Sequence, residues 1–358
     1  MQELIIREND AGQRLDKYLS KYLREAPKSF LYKMLRKKNI VLNKKKADGT
    51  ERLCLGDHVQ LFLSEETIAK FQGKASGTPA ANDENMEADL DNEIPCPVET
   101  KPEVLFETQH VVFFSKPAGM LSQKARPDDV SVIEYLNWYL LQRGELKKED
   151  LLTFHPGVCN RLDRNTSGII VGGKTLAGLQ AMSLVIQSHS CRKYYECIVK
   201  GRIDREETIQ GYLVKNHNHN RVSIQADKTE GAEFICTRYM PLAGNGEYTL
   251  LKVQLMTGKS HQIRAHLQSI GHPLVGDGKY GDVAVNKQFR KRFGLKHHLL
   301  HACEMTFPEQ LETDVFESGR TKEDAARWYA VYRELAGKQV MAPLPAQFER
   351  IKKELFLL

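Results

Sequence analysis

Residues 65–103 (EETIAKFQGKASGTPAANDENMEADLDNEIPCPVETKPE) carry ten acids against three bases and no sustained apolar period. A stretch of this kind buries too little apolar surface to offset the entropy of ordering it. It therefore constrains the rest of the chain, because whatever folds on either side must close its own core. The expected organisation is a small module over 1–64, an acidic flexible linker over 65–103 and a larger domain over 104–358. A chain of 358 residues has room for this. Both flanks are basic. Residues 1–64 hold 14 Lys/Arg against 8 Asp/Glu, and residues 104–358 hold 35 against 28. Two basic regions joined by an acidic segment suit a nucleic-acid binder whose linker the ligand repels.

No run approaches the roughly 18 apolar residues that span a bilayer, so no membrane association is expected. The N-terminal MQELIIREND has acids where a secretory signal needs bases and an apolar core, so a cytoplasmic location is expected. Seven cysteines at irregular spacing include no CxxC, which favours reduced thiols over disulfides or a zinc site. A monomer is expected.

In the first module, RLDKYLSKYLR (14–24) sets Leu15, Tyr18, Leu19, Tyr22 and Leu23 on one helical stripe. Ser29 is the expected N-cap of a second helix, with Phe30, Leu31, Met34 and Leu35 inward. Strands are expected at 40–43 and 58–63, around a Lys44–Lys46 run and an Asp48-Gly49 turn. Lys33, Arg36, Lys37, Lys38 and Lys45 then share a helix-plus-turn surface. Clustered bases of this kind neutralise phosphates, so these five are candidate RNA contacts. Residues 13–63 resemble the S4 RNA-binding domain, through RLDKYLSKYL, the basic second helix, the VLNKK turn and GDHVQL.

From residue 104, VLFETQHVVFFSKPAGML reads as two strands and a turn. Helices are expected at 131–143, 175–188 and 260–270, and strands at 168–173, 194–200, 233–239 and 248–256. Without regular βαβ alternation, this predicts an α+β domain with a mixed, largely antiparallel sheet flanked by helices. The segment 322–338 reads as an amphipathic helix packed on the domain.

Several motifs compete for the chemistry. Gly168–Thr175 matches the phosphate-loop pattern GxxxxGK[ST], but β-branched residues occupy the supposed loop and the turn precedes it. His261 and His266 are five apart, whereas a zinc helix pair needs a spacing of four. His217 with His219, and His297, His298 and His301, form no recognisable ligand set, so no metal and no nucleotide cofactor are expected. Cys159 and Cys191 lie near arginines but have no partnered base. There remains RLDRNTSG (161–168), in which Asp163 stands between Arg161 and Arg164. A carboxylate can serve as a nucleophile or a base, and the two guanidiniums would attract a polyanion. The alternative is a neutralised surface loop.

RLDRNTSG resembles the HRLDRxTSG motif of the RluA-type family of RNA pseudouridine synthases. Ser115–Gly119 (SKPAG), Lys193–Gly201 (KYYECIVKG) and Thr257–Leu267 (TGKSHQIRAHL), extended by GHPLVGDGKYG at 271–281, resemble that family's other motifs in the expected order. The resemblance spans about residues 104–308. It implies a pseudouridine synthase domain in which Asp163 is the catalytic aspartate. It implies that Tyr195 stacks near the target base and takes part in proton removal from C5, and that Arg264 pairs with the aspartate. Arg161, Arg164 and Lys116 join the candidate RNA contacts. An S4 module ahead of such a domain resembles the subgroup acting on large-subunit ribosomal RNA. Asn160 replaces the His of many members, Lys259 an Arg, and Ser122-Gln123-Lys124 lacks a His found after KPxG. The implied reaction breaks the N1–C1′ bond of an extruded uridine, rotates the uracil and rejoins it through C5. Direct attack at C1′ and removal of a sugar proton both remain open. So do a tRNA substrate and a non-catalytic RNA-binding role in ribosome assembly.

Overall fold

The computed structural model describes residues 1–73, 95–216, 221–312, 314–317 and 321–357. They form two compact units: residues 1–96 with 137–156 and 175–177, and the remainder.

The first unit runs β1 (Gln2–Ile5), α1 (Leu15–Tyr22), α2 (Lys28–Arg36), β2 (Ile40–Leu42), β3 (Lys45–Lys46), β4 (His58–Leu61) and α3 (Glu65–Phe71). The strands form an antiparallel sheet in the order β1-β4-β2-β3. The α1 stripe is buried as the spacing requires. Leu15, Leu19 and Leu23 close a core with Leu31, Leu35, Ile40, Val59 and Leu61. Two expectations need correction. α2 begins at Lys28 behind Pro27, with Ser29 inside the first turn and not capping it. A proline already at φ −60° takes the N-cap position, two residues before Ser29. The expected linker begins instead as α3. The Ser64 hydroxyl accepts from the Thr67 amide at 3.3 Å, and Glu65 and Glu66 sit at the positive helix end. Ile68 is buried, and the ring of Phe71 lies 4.6 Å from that of Phe30. Residues 74–94, the centre of the expected linker, lie outside the described residues.

The second unit contains β5 (Glu103–Glu107), β6 (Val111–Lys116), α4 (Val132–Gln142, only its first turns), β7 (Gly157–Val158), β8 (Ser167–Gly173), α5 (Leu176–Gln187, beyond its first residues) and β9 (Arg192–Lys200). It continues through β10 (Glu207–Asn216), β11 (Arg221–Gln225), β12 (Glu233–Gly244), β13 (Tyr248–Leu255), α6 (Gln262–Ser269), α7 (Val283–Phe293), β14 (Leu300–Thr306), α8 (Lys322–Arg333), β15 (Gln339–Met341) and α9 (Ala346–Phe356). The described strands form one sheet, β11-β10-β12-β13-β9-β14-β8-β6-β5, with β15 beside β14 and β7 beside β8. Every pairing is antiparallel except β14 with β8. The expected α+β class with a mixed, largely antiparallel sheet is what forms. His217 and His219 lie outside the described residues.

All seven residues of β8 are buried. A central strand covered on both faces reads as a continuous apolar run. That is why the phosphate-loop match is spurious: its supposed loop is this strand. Lys174 Nζ donates to Glu107 Oε1 at 2.6 Å and to the Thr108 carbonyl. α8 buries Trp328, Val331 and Tyr332, with Trp328 6.0 Å from the Phe316 ring. No described helix is long and apolar enough to cross a membrane.

Candidate active site

The loop 159–166 between β7 and β8 is held from several sides. Asn160 Oδ1 accepts from the Val171 amide at 2.8 Å, and its Nδ2 donates to the Ile169 carbonyl. The Ser122 hydroxyl accepts from the Leu162 amide at 3.0 Å and donates to the Leu162 carbonyl at 2.8 Å. Thr166 Oγ1 lies 2.8 Å from His298 Nε2, and Ser167 Oγ lies 2.9 Å from His301 Nδ1. Burial drives both histidines down to about 4, so they brace the loop as neutral rings. Asn160 and Ser122, two of the departures from the family pattern, thus serve as loop braces.

Gly168 follows at φ +108°, and a Cβ there would meet the Ala302 carbonyl oxygen at 2.1 Å. This is the parallel contact of β8 with β14, where Gly168 pairs with Ala302. Only glycine combines that backbone angle with that approach.

Asp163 projects from the braced loop with its side chain 25% exposed. Its Oδ2 accepts from Arg264 Nη1 at 2.6 Å. The other edge of that guanidinium, Nε and Nη2, donates to both oxygens of Asp277 at 2.6 and 2.9 Å. Asp277 is fully buried, and its Oδ1 also accepts from the amides of Lys279 and Tyr280. Burial raises the Asp277 carboxyl, but the Arg264 hydrogen bonds and charge outweigh it and hold the group near 2. Arg264 and Asp277 thus neutralise each other, and the Asp163 charge faces the cleft.

That cleft measures about 650 Å³, within the ordinary range of ligand sites. Asp163, Tyr195 and Arg264, brought from a loop, β9 and α6, all line it. Burial, and secondarily the Asp163 charge, raise the Tyr195 phenol, so the ring is neutral. Arg161 also lines the cleft and is exposed. Arg164 is exposed, and its carbonyl accepts from the Gly119 amide at 2.8 Å. Among the described residues, the arginine that pairs with Asp163 is therefore distant Arg264, and neither flanking arginine.

Lys116 corrects its expectation as an RNA contact. It is fully buried, and its Nζ donates to the carbonyls of Pro117, Met120 and Arg164 at 3.0, 2.9 and 3.1 Å. It ties the SKPAG turn to the Asp163 loop. Lys259 pairs with Glu233 at 2.5 Å. Lys33, Arg36, Lys37, Lys38 and Lys45 are exposed in the first unit. Desolvation pushes the Cys159 thiol up to about 12 and raises that of Cys191, the opposite of an activated nucleophile.

Sequence reasoning missed Asp277, His261 and Tyr280 as site residues. His261 Nε2 lies 3.9 Å from Asp163 Oδ2, and its Nδ1 is 3.0 Å from the Tyr280 hydroxyl. Arg264 lies over the Tyr280 ring at 5.1 Å. The available signal was GDGKYG at 276–281, where an acid between glycines precedes a tyrosine.

A close-packed glycine, a braced aspartate and an arginine shared by two carboxylates thus shape a cleft onto which the Asp163 carboxylate opens. The chain's relatives say which class this is. The model of the family "RNA pseudouridylate synthase" matches residues 110–269. Ribosomal large subunit pseudouridine synthase C of Haemophilus influenzae is 31% identical over 318 residues, 87% of this chain and 88% of its own. Its namesake in Vibrio cholerae is 28% identical over 308 residues, 86% and 89% of the two chains. An uncharacterized RNA pseudouridine synthase of Mycoplasma genitalium is 28% identical over 319 residues, 88% and 91%. The solved structure of human RNA pseudouridylate synthase domain containing 4 has the same fold. It superposes with a TM-score of 0.52 at 17% identity, covering 70% of this chain and 92% of that one. The chain belongs to the RNA pseudouridine synthase family.

Proposed function

We propose that this enzyme converts specific uridines of large-subunit ribosomal RNA into pseudouridine, with Asp163 breaking the N1–C1′ bond. One observation carries the assignment of Asp163. Its carboxylate is bonded to a guanidinium that a second, buried carboxylate already neutralises, and it opens on the cleft lined by Tyr195. The Arg264 hydrogen bond fixes the direction in which the Asp163 carboxylate faces the cleft, for attack at C1′ or for taking a sugar proton. Arg264 is thus a positioning residue. Tyr195 offers a neutral ring on which the extruded uracil stacks, an interaction worth roughly 1–3 kcal/mol that offsets part of the cost of unstacking.

The large-subunit substrate follows the printed names of the relatives from Haemophilus and Vibrio. Residues 1–64 are read as an S4-like module. Its exposed Lys33, Arg36, Lys37, Lys38 and Lys45 contact RNA phosphates, and Arg161 and Arg164 do so beside Asp163. The protein acts in the cytoplasm as a monomer.

The test is a pseudouridine map of large-subunit rRNA from cells lacking the protein, complemented with wild type or with Asp163→Asn. Signals at particular uridines restored by wild type alone are the expected result. Asp163→Asn activity above about a tenth of wild type would overturn the role of Asp163. An unchanged rRNA map with pseudouridines lost from tRNA would overturn the substrate.

A further inference from the structure

Lys193 has no part in the reading above, yet it faces the same cleft as Asp163. It stands two residues before Tyr195 on β9. Strand alternation therefore puts the two side chains on one face, about 7 Å apart along the strand. Lys193 is only 7% exposed. Among the described residues no hydrogen bond or ion pair reaches its ammonium, unlike the neighbouring cations. Arg264 is held by two carboxylates, Lys259 by Glu233, and Arg161 is exposed. The ammonium lies 3.8 Å from where a Gly258 Cβ would stand. Beside it, His189 is driven toward its neutral form by burial and then by the charges of Lys193 and Lys259.

An ammonium that faces a cleft with no counter-charge beside it draws an arriving anion. RNA brings one anion per nucleotide into this cleft. We infer that Lys193, with the bare Gly258 turn, seats the phosphodiester adjoining the extruded uridine while Tyr195 takes the base. This inference rests on the proposed function.

The test uses a short RNA carrying a uridine identified by the map. The RNA is either natural or bears a neutral methylphosphonate at the linkage on the 5′ or the 3′ side of that uridine. Lys193→Met is expected to lower kcat/KM by about 10- to 100-fold, mostly through KM, and Lys193→Arg to recover most of it. The slope of log affinity against log salt should fall by about 0.7, the value for one neutralised phosphate on a single strand. One of the two methylphosphonates should cost wild type a similar factor and cost Lys193→Met nothing further. Additive losses, or a folded Lys193→Met with wild-type kcat/KM, would overturn the inference. So would a loss confined to kcat with a displaced pH profile, which would assign Lys193 to proton transfer. The methylphosphonate comparison on wild type alone is decisive even where Lys193→Met does not fold, because two indifferent linkages leave no phosphate for the seat. Absence of pseudouridine with wild type in every RNA is a different failure. It removes the proposed function, and this inference with it, before any Lys193 variant is made.

Discussion

Arg264 serves two carboxylates with different fates. Asp277 is fully buried, and Asp163 keeps a quarter of its side chain in water. Removing the guanidinium leaves Asp277 as an unpaired buried charge, and breaking such a pair from one side costs about 3–5 kcal/mol. Arg264→Met is therefore expected to lose both turnover and that much stability in urea titration. Asp163→Asn should lose turnover and less than about 1 kcal/mol, because a partly exposed amide still accepts from Arg264. Equal stability losses in the two variants would refute this division. Lys116 sets a second test. Burial pushes its ammonium down to about 7 from 10.5, with the Asp163 charge opposing. Between these values the unfolded chain binds more protons than the folded one, so stability rises with pH across that window. Unfolding measured at pH 7 and near pH 10 should show the rise in wild type and lack it in Lys116→Met.

At the scale of elements, the site depends on where β8 meets β14. Asp163 precedes β8, Tyr195 lies on β9 on the other side of β14, and the single parallel pairing among the described strands of the sheet joins β8 to β14. Gly168 makes that pairing possible. Gly168→Ala would drive a Cβ into the Ala302 carbonyl at a φ that L residues rarely adopt. We expect a loss of a few kcal/mol, read as a fall in Tm, and a fall in kcat as the Asp163 loop shifts. A variant with wild-type Tm and kcat would show that the strands separate at little cost. The element pattern was legible wherever periodicity was strong, as in α1, α4, α5 and β8. It was illegible for β10, β11, α7 and α9. β10 carries a mid-strand glycine, Gly211, and α7 hides its Asp282 cap, bonded to the Ala284 and Val285 amides, beside a glycine turn.

Across the whole molecule, charge is distributed to match the polyanion. The proposed function assigns affinity to the exposed bases between Lys33 and Lys45 and chemistry to the cleft. Replacing Lys33, Arg36, Lys37, Lys38 and Lys45 together by Gln should weaken binding of large-subunit rRNA. The salt slope should fall by up to about 0.9 for each duplex phosphate that is no longer neutralised. Turnover of a saturating short RNA should stay at the wild-type rate. Filter binding at several salt concentrations, beside single-turnover kinetics, checks both. An unchanged slope would remove the first unit from RNA binding.

By itself, the sequence determined the α+β class, the basic flanks, the stripe of α1 and the motifs that carry Asp163, Tyr195 and Arg264, three residues that line one cleft. These are properties of local order: a 3.6-residue period, a charge sum, and motifs of contiguous residues whose spacing survives without coordinates. Only the tertiary structure decided partners. Asp163 pairs with Arg264, 101 positions away, and passes over its neighbours Arg161 and Arg164. Lys116 turns inward onto three carbonyls, and Lys193 is buried with no counter-charge among the described residues. Whether a charge is paired, solvated or stranded depends on what the sheet brings within about 4 Å of it, and Coulomb and desolvation energies respond to that distance and burial, which sequence separation does not report.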